Sequence, residues 1–139
     1  MRMRKKANLD TRMERCAGLL ISDPEGMRGR WRELFPQARQ VRLEIGCGKG
    51  RFSAETARQN PDVLYLALER VPDAMIVAME RCQAQGLTNI FFIDGDAAAL
   101  RSYFAPGEVD LLYINFCDPW PGLKHARRRL THPQFLVLY

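Results

Sequence analysis

VRLEIGCGKGRFSAETARQN, Val41 to Asn60, changes texture twice in twenty residues. Val41, Leu43 and Ile45 alternate with Arg42 and Glu44, the period of a strand with one buried face. GCGKG then interrupts, with glycines at 46, 48 and 50 that allow a sharp turn and leave no Cβ to block a ligand. Phe52, Thr56 and Ala57 follow at helical spacing, and Asn60-Pro61 stops the helix. The unit is strand, glycine loop, helix. The spacing is GxGxG, because Arg51 stands where the dinucleotide fingerprint GxGxxG places its third glycine, and Lys49 lacks the following Ser or Thr of a P-loop. On its own the loop serves a turn as well as a ligand.

The same alternation continues downstream. VLYLALE (63–69) is a near-continuous apolar run of the kind buried in parallel sheets. PDAMIVAMERCQAQG (72–86) has Pro72 suited to a first helical turn, an apolar stripe at Met75, Ile76, Met79 and Cys82, and a terminal Gly86. IFFID (90–94) is a third strand, DAAALRSYF (96–104) a short helix and VDLLYIN (109–115) a fourth strand. THPQFLVLY (131–139) reads as another helix, with Thr131 as its cap. Residues 1–32 lack clean periodicity and contain Pro24, Gly26 and Gly29, so they read as a basic arm with at most one short helix. Strand and helix alternating four times predict an α/β fold, a Rossmann-like, doubly wound and mostly parallel sheet. Residues 33–139 carry it.

Composition narrows the class. With 139 residues, 47% of them apolar, the chain suits one modest domain, and wholesale disorder is excluded. No run reaches the roughly 18 apolar residues of a membrane span, and the basic start MRMRKKANLD precedes no apolar segment of a secretory signal. Cys16, Cys47, Cys82 and Cys117 are scattered without a CxxC pair, which speaks against a zinc site or disulfide framework and suits a reducing cytoplasm. Charge is segregated. Residues 1–32 hold nine Lys/Arg against four Asp/Glu, 33–123 hold eight against twelve, and 124–139 hold four against none. Basic flanks around an acidic middle suit a polyanion-binding rim around a cofactor pocket.

In such sheets ligands bind outside the carboxyl ends of the strands. Those ends carry Glu44 with Gly46, then Glu69, then Asp94 and Asp96, then NFCDPW. A carboxylate at Glu44 repels a pyrophosphate and suits a ligand bearing an ammonium and a sulfonium, S-adenosylmethionine. Glu69 is expected to accept from two ribose hydroxyls and Asp96 from the exocyclic amine of adenine. The competing reading is that Glu44, Glu69 and Asp96 are merely solvated strand ends.

LEIGCGKGRF, ALE, GDA, INFCDPWP, KHARRRLTHPQFL and the opening MRMRKK together resemble the bacterial tRNA (guanine-N7-)-methyltransferase family, class I enzymes that use S-adenosylmethionine and modify a guanine of the tRNA variable loop. The glycine motif is shared by very many methyltransferases, whereas the DPWP-to-RRRLT block is far more restrictive. Guanine N7 has a free lone pair, so the enzyme must place the base and stabilise developing positive charge rather than remove a proton. Asp118 is the candidate, and the resemblance implies it both as the catalytic residue and as a cofactor contact. Pro119 and Pro121 would stiffen its loop. Trp120 either stacks on a base or plugs the core. Lys124, Arg127, Arg128 and Arg129 are expected on tRNA phosphates, with His125 a packing or phosphate-contact residue; a solvated basic helix start is the alternative. Arg2, Arg4, Lys5 and Lys6 are expected to form a second, mobile phosphate contact. Cys47 and Cys117 read as small apolar fillers.

The pattern departs from the family at Gly122, where a substrate-contacting lysine usually follows DPWP. Four strands also fall short of the seven of a class I methyltransferase. The chain therefore reads as an amino-terminal piece, truncated after about four strands, with the fourth strand an exposed edge. The expected partners are tRNA and S-adenosylmethionine, with no membrane and no metal, and the expected state is a cytoplasmic monomer. Two other readings remain: methylation of an adenine amino group, disfavoured because DPWP lacks the paired prolines of [DN]PP[YFW], and a non-catalytic tRNA-binding remnant.

Overall fold

In the computed structural model, which describes residues 8–114 and 134–136, the Val41 stretch forms the centre of the sheet. β2 (Gln40–Ile45), β3 (Val63–Glu69), β4 (Ile90–Asp94) and β5 (Leu111–Ile114) are the four expected strands. They are joined by α2 (Arg51–Gln59), α3 (Pro72–Ala84) and a short turn of helix leading into α4 (Leu100–Tyr103). All four strands are parallel. Two further strands complete a six-stranded sheet of order β1-β4-β3-β2-β5-β6: β1 (Leu20–Ile21) and β6 (Gln134–Leu136).

Both additions correct the sequence reading. The segment read as an arm with at most one short helix holds that helix, α1 (Leu9–Arg15), but also supplies β1, which runs parallel to β4. It is pinned by Trp31, fully buried, whose indole N–H donates to the Tyr103 carbonyl at 2.8 Å and whose ring stacks on Phe104. Glu108 accepts from the backbone N–H groups of Gly29, Trp31 and Ala105. The helix expected from Thr131 is also overturned, since 134–136 pair antiparallel with β5, Leu136 opposite Leu112. β5 is thus an interior strand and not an edge: pairing along an otherwise open strand outweighs local helix preference.

Alternation assigns the two faces. Val41, Leu43, Ile45, Leu64, Leu66 and Leu68 point to one side, against Trp31, Tyr103 and Phe104. Tyr65 and Ala67 point to the other, under α2 and α3. The stripe Met75, Ile76, Met79 and Cys82 is buried there as its spacing requires. α3 starts at Pro72 and ends at Ala84, and Gly86 just beyond it has a φ of 67°, the left-handed conformation that closes helices. Asn89 latches the elements together, its amide donating to the carbonyls of Ala57, Asn60 and Val63 at 3.0–3.1 Å.

From β2 the chain steps outward through β3 to β4, then returns to the other side of β2 as β5. The direction of winding reverses between β2 and β5, and the crevice at their carboxyl ends is where such sheets bind ligands. Glu44 and the glycine loop lie there.

Candidate functional site

The glycine loop is held by backbone bonds to the end of β3: the N–H groups of Gly46 and Cys47 both donate to the Leu68 carbonyl, at 2.8 and 3.2 Å. Gly46, Gly48 and Gly50 have φ of 79°, 56° and 82°, values that side chains disfavour. Their surroundings differ. A Cβ on Gly48 would meet nothing within 4 Å, whereas one on Gly50 would strike Ala78 of α3. Gly50 therefore brings α2 against α3, and Gly48 faces open space. The loop is both a packing device and a cradle open on one side.

Glu69 ties this loop to the next turn. Its Oε1 accepts from the Gly48 N–H at 2.7 Å and its Oε2 from the Val71 N–H at 3.2 Å, while its backbone carbonyl accepts from the Gly95 N–H at 3.3 Å. Each carboxylate oxygen keeps capacity for a further donor, which ribose hydroxyls would need. Asp96 is exposed after β4, and its Oδ1 accepts from the Ala98 N–H at 3.0 Å, capping a single helical turn. Glu69 and Asp96 thus stand at adjacent strand ends, as the sequence places them.

Glu44 is not the solvated strand end of the competing reading. It is fully buried on the helix-covered side of β2, flanked by Ala67 of β3 and Tyr113 of β5. Its Oε1 accepts from the Ser53 hydroxyl in the first turn of α2 and from the Tyr65 hydroxyl at 2.8 Å. Its Oε2 is equally buried and has no hydrogen-bond partner among the described residues. Burial pushes the carboxyl up to about 7, the Ser53 and Tyr65 bonds pull against it, and the charge of Glu69 adds to it.

An aromatic group lines the same place. Tyr113 lies 5.8 Å from Tyr65 in a stacked pair and 5.2 Å from Phe52 edge-on. The Arg42 guanidinium donates to the Tyr113 hydroxyl at 3.1 Å and to Gln40. Ser53 and Tyr65 were not singled out from sequence. The signal was present, since a tyrosine inside VLYLALE buries a hydroxyl that must find an acceptor.

Asp118, Trp120, Lys124, His125, Arg127, Arg128 and Arg129 lie outside the described residues, as do Arg2, Arg4, Lys5 and Lys6. The described part of β5 ends at Ile114, at the crevice, and the stretch carrying Asp118 begins directly after it. Cys16, Cys47 and Cys82 are buried free thiols, and burial raises the pKa of each, Cys82 to about 12. They are not poised as nucleophiles. Among the described residues no three metal-ligating side chains cluster, and no helix is long and apolar enough to cross a membrane.

Residues 38–139 match the family model described as "Putative methyltransferase". The whole chain is 41% identical to a protein of Geobacillus kaustophilus named tRNA (guanine-N(7)-)-methyltransferase and spans 64% of its length. It is 40% identical to the Streptococcus agalactiae protein of the same name and spans 66% of that one. Among solved structures, the antibiotic-resistance methyltransferase Kmr superposes with a TM-score of 0.56 at 26% identity, over 71% of this chain and 51% of that one. An antibiotic-related methyltransferase superposes with a TM-score of 0.54 at 20% identity, over 71% and 50%. That second likeness speaks to the fold alone.

Proposed function

Because this chain belongs to the methyltransferase family whose model matches residues 38–139, we propose that it transfers a methyl group from S-adenosylmethionine to N7 of a guanine in tRNA. The observation that carries the cofactor reading is the spare oxygen of Glu44, buried and without a partner among the described residues, at the switch point of the sheet. An ammonium group is the donor that such an oxygen lacks. The substrate reading rests on the relatives' shared name over the full 139 residues of this chain.

The residues divide the work. Gly46 and Gly48 allow close approach of the loop backbone, Glu44 accepts from the cofactor's ammonium, Glu69 from its ribose hydroxyls and Asp96 from its adenine amine. S-adenosylmethionine supplies an electrophilic methyl group on a sulfonium. Guanine N7 already carries its lone pair, so no general base is required. Asp118 orients the guanine by accepting from its N–H groups and stabilises the positive charge that methylation leaves on the purine. Lys124, His125, Arg127, Arg128 and Arg129 contact phosphates, so binding weakens with added salt. With tRNA as substrate the protein works in the cytoplasm, as a monomer.

Incubation with tritiated S-adenosylmethionine and bulk tRNA tests this. Label should enter tRNA, and Asp118→Ala should reduce the rate about 10²-fold or more. Undiminished transfer by that variant would remove Asp118 from the mechanism. Salt-sensitive tRNA binding with no transfer and no cofactor binding would leave only an RNA-binding role.

A further inference from the structure

Ser53 and Tyr65 belong to different elements, α2 and β3, yet both hydroxyls donate to one oxygen of Glu44. All three side chains are buried. Two donors converging from separate packed elements fix the rotation of the carboxylate, and with it the direction of the second oxygen. That oxygen receives nothing from the described residues, although it too is shut off from water. An arrangement that satisfies one oxygen twice and leaves the other bare is unfavourable in a merely structural carboxylate. It suits one that awaits a donor.

The groups facing Glu44 include no neighbouring cation that donates to it among the described residues. They are Cys47 of the loop, Ser53 of α2, Tyr65 and Glu69 of β3, Cys82 of α3 and Tyr113 of β5. Arg42, two positions back on β2, gives its guanidinium to Tyr113 and Gln40. Cys47, Cys82 and Tyr65 all hold their protons more tightly than usual, and Glu69 is a like charge. Ionisation of Glu44 therefore depends on its two hydroxyl donors.

We propose that Ser53 and Tyr65 are positioning residues for cofactor recognition: by binding Oε1 of Glu44 they favour its ionised form and hold Oε2 as the acceptor for the cofactor's ammonium group. The inference rests on the reading of Glu44 given under Proposed function, and it adds a dependence on pH. Cofactor affinity falls as Glu44 takes up a proton, and removing a donor moves that fall to higher pH, because the donors favour the charged form.

Calorimetric binding of S-adenosylhomocysteine, which carries the same ammonium group, to the full chain tests this in wild type, Tyr65→Phe and Ser53→Ala. The variant-to-wild-type ratio of Kd should be about tenfold near pH ~6 and approach one near pH ~8.5, a one-unit displacement of the titration being a tenfold change. Titration of the ligand's own amine cancels in this ratio. 5′-Methylthioadenosine, which lacks the amino-acid portion, should show a ratio independent of pH. A ratio equally large at every pH for S-adenosylhomocysteine means that Ser53 and Tyr65 do not govern the ionisation of Glu44, and it overturns the inference while the cofactor reading stands. If wild type binds neither ligand, the cofactor reading and this inference fall together. Should one variant not fold, the other gives the ratio, and wild type must still release protons on binding near pH ~7. Binding without proton release overturns the inference.

Discussion

A Cβ on Gly50 would lie 2.5 Å from the Cβ of Ala78 and 2.7 Å from its Cα. The third glycine of GCGKG is thus fixed by the approach of α2 to α3 as much as by its φ of 82°. Gly50→Ala combines left-handed strain of about 1–2 kcal/mol with overpacking of about 1–3 kcal/mol. Urea unfolding should show a loss in that combined range. Ala78→Gly in the same chain should return part of the steric share, less the roughly 1 kcal/mol that glycine costs in a helix.

Glu44 makes the ligand-free fold sensitive to pH. Its folded-state pKa of about 7 lies above the ordinary carboxylate value of 4.5, so the folded state holds the proton more tightly. The resulting stabilisation is complete below about pH 4.5 and is lost as pH rises through 7. Between those limits the wild type should lose roughly 3 kcal/mol relative to Glu44→Gln, which has no proton to release. Urea titrations of both proteins from about pH 5 to 8 measure the difference in slope. Parallel slopes would mean that Glu44 is not buried as described.

The Asn89 latch predicts a large effect from a residue far from any ligand. Asn89→Ala strips a donor from the carbonyls of Ala57, Asn60 and Val63 together. A loss of about 2–4 kcal/mol is expected in urea unfolding, since the bonds to Ala57 and Val63 are buried and that to Asn60 partly so.

Trp31 tests whether the N-terminal segment belongs to the core. The ring is fully buried, stacked 5.0 Å from Phe104 and bonded to the Tyr103 carbonyl. Trp31→Ala should cost about 3–5 kcal/mol, and Trp31→Phe about 1 kcal/mol for the lost bond together with a packing term. An effect below about 0.5 kcal/mol for the alanine variant would return this segment to the status of a loose arm.

The four central strands, their parallel winding and the positions of Glu69 and Asp96 could be read from the chain, because alternation and apolar runs report burial directly. What escaped depended on partners distant in sequence. Leu20–Ile21 is a two-residue strand that exists only by pairing with Phe92 and Ile93. Residues 131–139 read as a helix capped by Thr131 until β5 offers 134–136 an unpaired side. Glu44 stood out by its place before the glycines, but its enclosure by Ser53 and Tyr65 needed the third dimension. Gly50 looked like ligand clearance, and Ala78, its real constraint, lies 28 residues on in the helix opposite.

The central claim is the chemistry of the transferred methyl group, and the identity of the product nucleoside tests it most directly. Unmodified tRNA should be incubated with this chain and S-adenosylmethionine, then digested to nucleosides and separated against standards by mass spectrometry. The account predicts 7-methylguanosine as the new product, absent when Asp118→Ala replaces the wild type. Methyl on an adenine amino group, or no methylated nucleoside from a chain that binds both tRNA and S-adenosylmethionine, would contradict it.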